Sequence, residues 1–124
     1  MARVLIVEDD PSARMLVVML LEKEGHVAVQ TENGQEALGV LEQDTFDLII
    51  TDLFMPGVDG FELIKAIRET RSDQKIIAIS GRDGATESGP NYLDFSHSLG
   101  ADDVIAKPLD AVEFRLAVKR CLAF

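Results

Sequence analysis

Apolar residues in this chain fall into two patterns that take turns along its length. Short unbroken runs, the mark of strands buried on both faces, alternate with longer stretches in which apolar positions recur at helical spacing. The predicted strands are Arg3–Val7, Val27–Thr31, Phe46–Thr51, Lys75–Ser80 and Asp103–Ala106. The predicted helices are Pro11–Glu24, Gln35–Leu41, Phe61–Thr70, Tyr92–Leu99 and Asp110–Cys121. Asp10-Pro11 supplies a cap followed by proline at the first helical position, and Gly25 stops that helix. Its expected buried stripe is Ala13, Leu16, Val17, Leu20 and Leu21. Gly81–Asn91 is a polar connection with three glycines. Strand–helix alternation of this kind predicts an α/β domain, a parallel sheet with helices on both faces. It leaves no linker, repeat or remainder for a second domain, so residues 1–124 are expected to form one unit.

Four of the runs end on chemically capable side chains. Val4–Val7 leads into Glu8-Asp9, Leu48–Thr51 into Asp52, Ile76–Ile79 into Ser80, and Val104–Ala106 into Lys107-Pro108. In neighbouring parallel strands all four endings emerge at the carboxyl edge of the sheet, where open α/β folds place their sites. Three carboxylates crowded at one edge repel one another unless a cation neutralises them. Mg²⁺ suits such a set, because it takes a few carboxylates and completes its octahedron with water and phosphate oxygens. A carboxylate beside Mg²⁺ can also attack phosphorus and form an acyl phosphate. Lys107, at the end of an apolar run and before Pro108, points inward as a partner for Asp52 and then for phosphoryl oxygens. Ser80 is a candidate phosphoryl hydrogen-bond donor. A tight turn aiming Lys107 back into the site predicts a cis Lys107–Pro108 bond.

Each of these residues also has a plainer explanation. Adjacent acids after a strand cap helices, a serine there is an ordinary turn residue, and a lysine is commonly a surface charge. The ordered set, not any member, carries the inference.

Composition narrows the classes. Apolar residues make up 47% and charged residues 27%, which is globular rather than disordered. A net charge of −10, from 12 basic and 22 acidic residues, disfavours direct binding to nucleic acid. No apolar segment approaches the ~20 residues of a membrane span, and no signal peptide is evident. Cys121 has no partner for an internal disulfide, which fits the cytoplasm. His26 and His97 lack companions at metal-ligand spacing and are expected at the surface or its boundary.

The chain resembles a response-regulator receiver domain from Arg3 through Phe124. The resemblance rests on Val4-Leu5-Ile6-Val7-Glu8-Asp9-Asp10, on Thr51-Asp52-Leu53-Phe54-Met55-Pro56-Gly57-Val58-Asp59-Gly60, on Ile79-Ser80-Gly81 and on Lys107-Pro108. It implies a flavodoxin-like, doubly wound, five-stranded sheet of order 2-1-3-4-5. It also implies Mg²⁺-dependent transfer of a phosphoryl group onto Asp52 from a histidine kinase or a histidine phosphotransfer protein. By the same resemblance Asp9 and Asp52 are direct metal ligands, Phe54 lends its carbonyl, and Glu8 reaches the metal through water. Ser80 and Lys107 contact the phosphoryl group. Met55-Pro56 and Asp59-Gly60 shape the loop, and the cis bond before Pro108 is expected on this ground too. The domain is then a switch rather than a turnover enzyme, signalling through a changed surface to a downstream protein partner.

Two features depart from the family pattern. The aromatic residue usually found three positions before the lysine is Val104 here, and Gly81–Asn91 is longer than in many relatives. With Val104 too small to rotate as a ring does, readout is expected through reordering of Gly81–Asn91 and the start of the Tyr92–Leu99 helix. Arg82 is then near enough to sense the phosphoryl charge, and Tyr92 and Phe95 either share the aromatic role or pack the core.

Three other functions compete. An aspartyl-nucleophile phosphatase needs Asp-x-Asp after the strand, but the third position is Phe54, and a cap domain is missing. A flavin or nucleotide site needs a glycine-rich first loop, and this one is acidic. A receiver-like module that docks partners without phosphorylation does not require the chemical positions, all of which are filled.

Overall fold

The computed structural model describes residues 1–80 and 100–123. The elements are β1 (Arg3–Val7), α1 (Pro11–Lys23), β2 (Val27–Thr31), α2 (Gly34–Gln43) and β3 (Leu48–Asp52), then α3 (Gly60–Thr70), β4 (Ile76–Ser80), β5 (Asp103–Ala106) and α4 (Ala111–Leu122). The strands form one five-stranded sheet of order β2-β1-β3-β4-β5, parallel at every pairing. This is the flavodoxin-like order expected. The expected helix Tyr92–Leu99, the connection Gly81–Asn91 with Arg82, and the residues Tyr92, Phe95 and His97 lie outside the described residues.

The unbroken apolar runs follow from burial on both faces. Alternate side chains divide between two cores. Val4, Ile6, Leu48, Ile50, Ile77 and Ile79 pack with Val17 and Leu21 of α1 and Phe114 and Val118 of α4. Leu5, Val7, Ile49, Ile76 and Ala78 pack with Ala37 and Leu41 of α2 and Leu63, Ile64 and Ile67 of α3. Every helix among the described residues starts on a side-chain cap, from Asp10, Asn33, Asp59 and Asp110 in turn. These caps explain the small differences from the sequence boundaries: Asn33 starts α2 at Gly34, Asp59 starts α3 at Gly60, and Asp110 stands just before α4.

The buried face of α1 differs from the expected stripe. Val17, Val18 and Leu21 are buried, whereas Leu16 is exposed and Ala13 and Leu20 are only partly covered. The helix is apolar nearly all round, with Met15 and Met19 also exposed, so spacing alone did not fix its rotation about its axis.

His26 is half-buried, and its Nδ1 accepts a hydrogen bond from the Ala2 amide at 3.1 Å. Cys121 is buried, and that burial pushes its thiol up to about 11. No described helix is long and apolar enough to cross a membrane.

Candidate functional site

The register places the candidate residues at one edge. Val7 pairs with Thr51, Asp52 with Ile79, and Ser80 with Ala106, so Glu8, Asp52, Ser80 and Lys107 all stand at or just beyond the carboxyl ends of adjacent strands. Glu8 and Asp9 leave β1 on a turn fastened on both sides. The Glu8 amide donates to the Thr31 carbonyl at 3.1 Å, and the Asp10 amide donates to Glu8 Oε2 at 3.2 Å. Asp10 itself caps α1 by accepting from the Ala13 amide at 3.2 Å.

Asp52 is the last residue of β3 and is 4% exposed. Its place is fixed by the backbone around it. The Leu53 amide donates to the Ile79 carbonyl at 2.9 Å, and the Gly60 amide donates to the Leu53 carbonyl at 3.0 Å. A Cβ at Gly60 would lie 2.2 Å from the Asp52 carbonyl oxygen and 2.6 Å from Leu53 Cα, so only glycine lets α3 begin against this peptide. The Phe54 amide donates to Asp52 Oδ1 at 3.4 Å. The Phe54 ring is 45% exposed at the rim and meets Phe61 edge-on, with centroids 5.7 Å apart.

Lys107 follows β5 and precedes Pro108 through a cis peptide, as the sequence suggested. Its Nζ lies 2.9 Å from Glu8 Oε1 and 3.5 Å from Asp52 Oδ2. Lys107 therefore spans two carboxylates and sits closer to Glu8, whereas the sequence pointed to Asp52 alone. The Lys107 ion pair is the one polar contact of the buried Glu8 Oε1 among the described residues. Ser80 is fully buried, and its carbonyl accepts from the Lys107 amide at 2.9 Å.

Carboxylate oxygens of Glu8, Asp9 and Asp52 lie within 4.8 Å of one another. Burial pushes the Glu8 carboxyl up to about 7, with the Asp52 charge adding to the rise and Lys107 opposing it. Burial also raises Asp52, against the pull of Lys107. Burial works against charge on Lys107, yet the two acids together outweigh it and hold its pKa above the ordinary lysine value. Three carboxylates that offer only oxygen donors, crowded and partly dehydrated, suit a hard divalent cation.

One contact at this edge had no counterpart in the sequence reading. Arg14 Nη1 donates to the Glu8 carbonyl at 2.8 Å. Its signal was its place, one turn into the helix behind Glu8-Asp9-Asp10.

The sequence profile of the response regulator receiver domain matches residues 4–119. The chain belongs to the response regulator receiver family. An uncharacterized 14.6 kDa protein of Leptolyngbya boryana is 38% identical over 98% of this chain and 91% of its own length. The transcriptional regulatory protein PcoR of Escherichia coli is 32% identical, and the match takes in 98% of this chain but 52% of PcoR. The chain thus spans about half the length of some relatives and nearly all of others. The response regulator TrrA of Thermotoga maritima, solved in complex with Mg²⁺–BeF, is 34% identical over 98% of this chain and all of TrrA, with a TM-score of 0.85. Receiver domains are signalling domains of two-component systems, not turnover enzymes.

Proposed function

We propose that this receiver accepts a phosphoryl group on Asp52 from a phosphohistidine of a histidine kinase or histidine phosphotransfer protein. The convergence of Asp52, two further acids and Lys107 at the end of the sheet is the observation that carries the proposal. An oxygen of the Asp52 carboxylate attacks phosphorus; the new P–O bond forms as the P–N bond to imidazole breaks, and imidazole leaves with a proton from solvent. Asp52 is aligned for this by its neighbours in β3 and β4 and by the Phe54 amide. Lys107 pairs with the transferred oxygens, shifting between Glu8 and the phosphoryl group while remaining a point charge. Ser80 donates its hydroxyl to a phosphoryl oxygen.

Asp9, Asp52 and the Phe54 carbonyl would hold Mg²⁺, with the Glu8 carboxylate beside them. The chemistry such a metal would supply is neutralisation of charge on the phosphoryl oxygens during transfer to Asp52. That the relative TrrA was solved in complex with Mg²⁺–BeF supports Mg²⁺ as the cation. In the proposed signalling step a protein partner reads the altered surface.

Incubation with Mg²⁺ and a small phosphodonor, followed by intact mass measurement, tests the proposal. The expected product carries one added phosphoryl group that is lost at alkaline pH, as an acyl phosphate should be. An unchanged mass under these conditions favours a docking module that works without phosphorylation.

A further inference from the structure

Arg14 stands among acids yet binds none of them. Among the described residues it forms no ion pair, although Glu8, Asp9 and Asp10 lie just before it in the chain. Its half-buried guanidinium instead donates to the main-chain carbonyl of Glu8 at 2.8 Å. That carbonyl belongs to the peptide plane joining Glu8 to Asp9. Rotating this plane changes ψ of Glu8 and φ of Asp9 together, and with them the angle between the two carboxylates. The Glu8 side of the turn is already tied, through its amide to Thr31 and its Oε2 to the Asp10 amide. Asp9 is different: it is exposed, and no hydrogen bond or ion pair of its carboxylate occurs among the described residues. Among the described residues, the hydrogen bonds that fix this turn act on the backbone and on Glu8, not on the Asp9 carboxylate.

We infer that Arg14 is a positioning residue for the acidic pocket, holding the Glu8–Asp9 peptide so that both carboxylates face Asp52. The inference rests on the metal-site reading of the previous subsection. Charge and position make opposite demands here. As a cation beside three acids, Arg14 should repel Mg²⁺, and removing it should tighten binding. As a clamp on the peptide plane, it should favour Mg²⁺, and removing it should loosen binding. Groups behind the direct ligands commonly govern metal affinity in this way.

The test is Mg²⁺ titration of the unphosphorylated protein, followed by amide chemical shifts, for the wild type, Arg14→Met and Arg14→Lys. Phosphorylation rate against Mg²⁺ concentration is measured in parallel. Arg14→Met is expected to raise the Mg²⁺ Kd roughly tenfold. Its phosphorylation rate should reach the wild-type plateau once Mg²⁺ saturates, which a generally damaged site would not do. Arg14→Lys, which keeps the charge but loses the planar guanidinium fork, should fall between. Binding by Arg14→Met as tight as wild type or tighter, or a lowered plateau with unchanged Kd, overturns the inference. If Arg14→Met does not fold, Arg14→Lys decides: affinity below wild type supports the clamp, and wild-type affinity overturns it. A wild type that binds no Mg²⁺ removes the metal-site reading itself and this inference with it, whereas a wild type that binds while Arg14→Met is unaffected removes only the role of Arg14.

Discussion

Lys107 Nζ lies 2.9 Å from Glu8 Oε1, and Glu8 is 2% exposed. The lysine is the main compensation for a carboxylate placed almost out of reach of water. Removing it should matter most where Glu8 and Asp52 are both charged. Lys107→Met is expected to cost about 3 kcal/mol at pH 8, where ionised acids would be left buried, and less at pH 5. Urea unfolding at the two pH values gives the comparison, and an equal cost at both would show that the pair contributes nothing special.

The wild type should show a related pH dependence. The Glu8 pKa is raised in the fold, from 4.5 to about 7, so between these values the folded state binds more protons than the unfolded chain. Stability of the metal-free protein therefore falls as pH rises through that window, by on the order of 1–3 kcal/mol. Asp52, also raised, acts in the same direction. Mg²⁺ competes with those protons, so its stabilising effect should be small near pH 5 and grow towards pH 8. At about tenfold over its Kd, the metal should add roughly 1.4 kcal/mol. Thermal melts across pH, with and without Mg²⁺, measure both trends.

Asp52→Asn should fold and fail to take up phosphate. The amide is nearly the size of the acid but is a poor nucleophile and a weak Mg²⁺ ligand. One charge fewer in the crowded cluster should raise metal-free stability slightly. Intact mass after treatment with a phosphodonor, alongside a melt, checks both; incorporation at the wild-type rate would move the acceptor elsewhere.

Gly60→Ala places a methyl group 2.2 Å from the Asp52 carbonyl oxygen, so either α3 or the end of β3 must shift. A loss of about 1–3 kcal/mol is expected, together with slower phosphorylation, because the displaced peptide carries the acceptor. Wild-type stability and rate in this variant would mean that the start of α3 adapts freely.

The two-period apolar pattern made the parallel sheet and its cover on both faces legible, because both-face burial leaves unbroken runs that little else produces, whereas the strand order came with the family resemblance. The strand-ending acids and Lys107 were legible for the same reason: charge at the end of a buried strand needs a purpose. What stayed hidden depended on rotation and reach. Met15, Leu16 and Met19 are as apolar as the residues α1 buries, so its facing was set by packing against β1, β2 and α4 rather than by pattern. The preference of Lys107 for Glu8 depends on ångström differences along a flexible side chain. Arg14 acts on a carbonyl, and main-chain acceptors look alike in any sequence.

Lys107 and Ser80 share a single rung of the β4–β5 ladder, the bond from the Lys107 amide to the Ser80 carbonyl. The two side chains proposed to contact a phosphoryl group are therefore yoked through their backbones. If Ser80 is drawn towards a new anion, either the rung parts or Lys107 travels with it. A substitution that retunes one of them alters the leverage of the other, and their effects on phosphoryl binding should multiply or cancel rather than add as independent sites would.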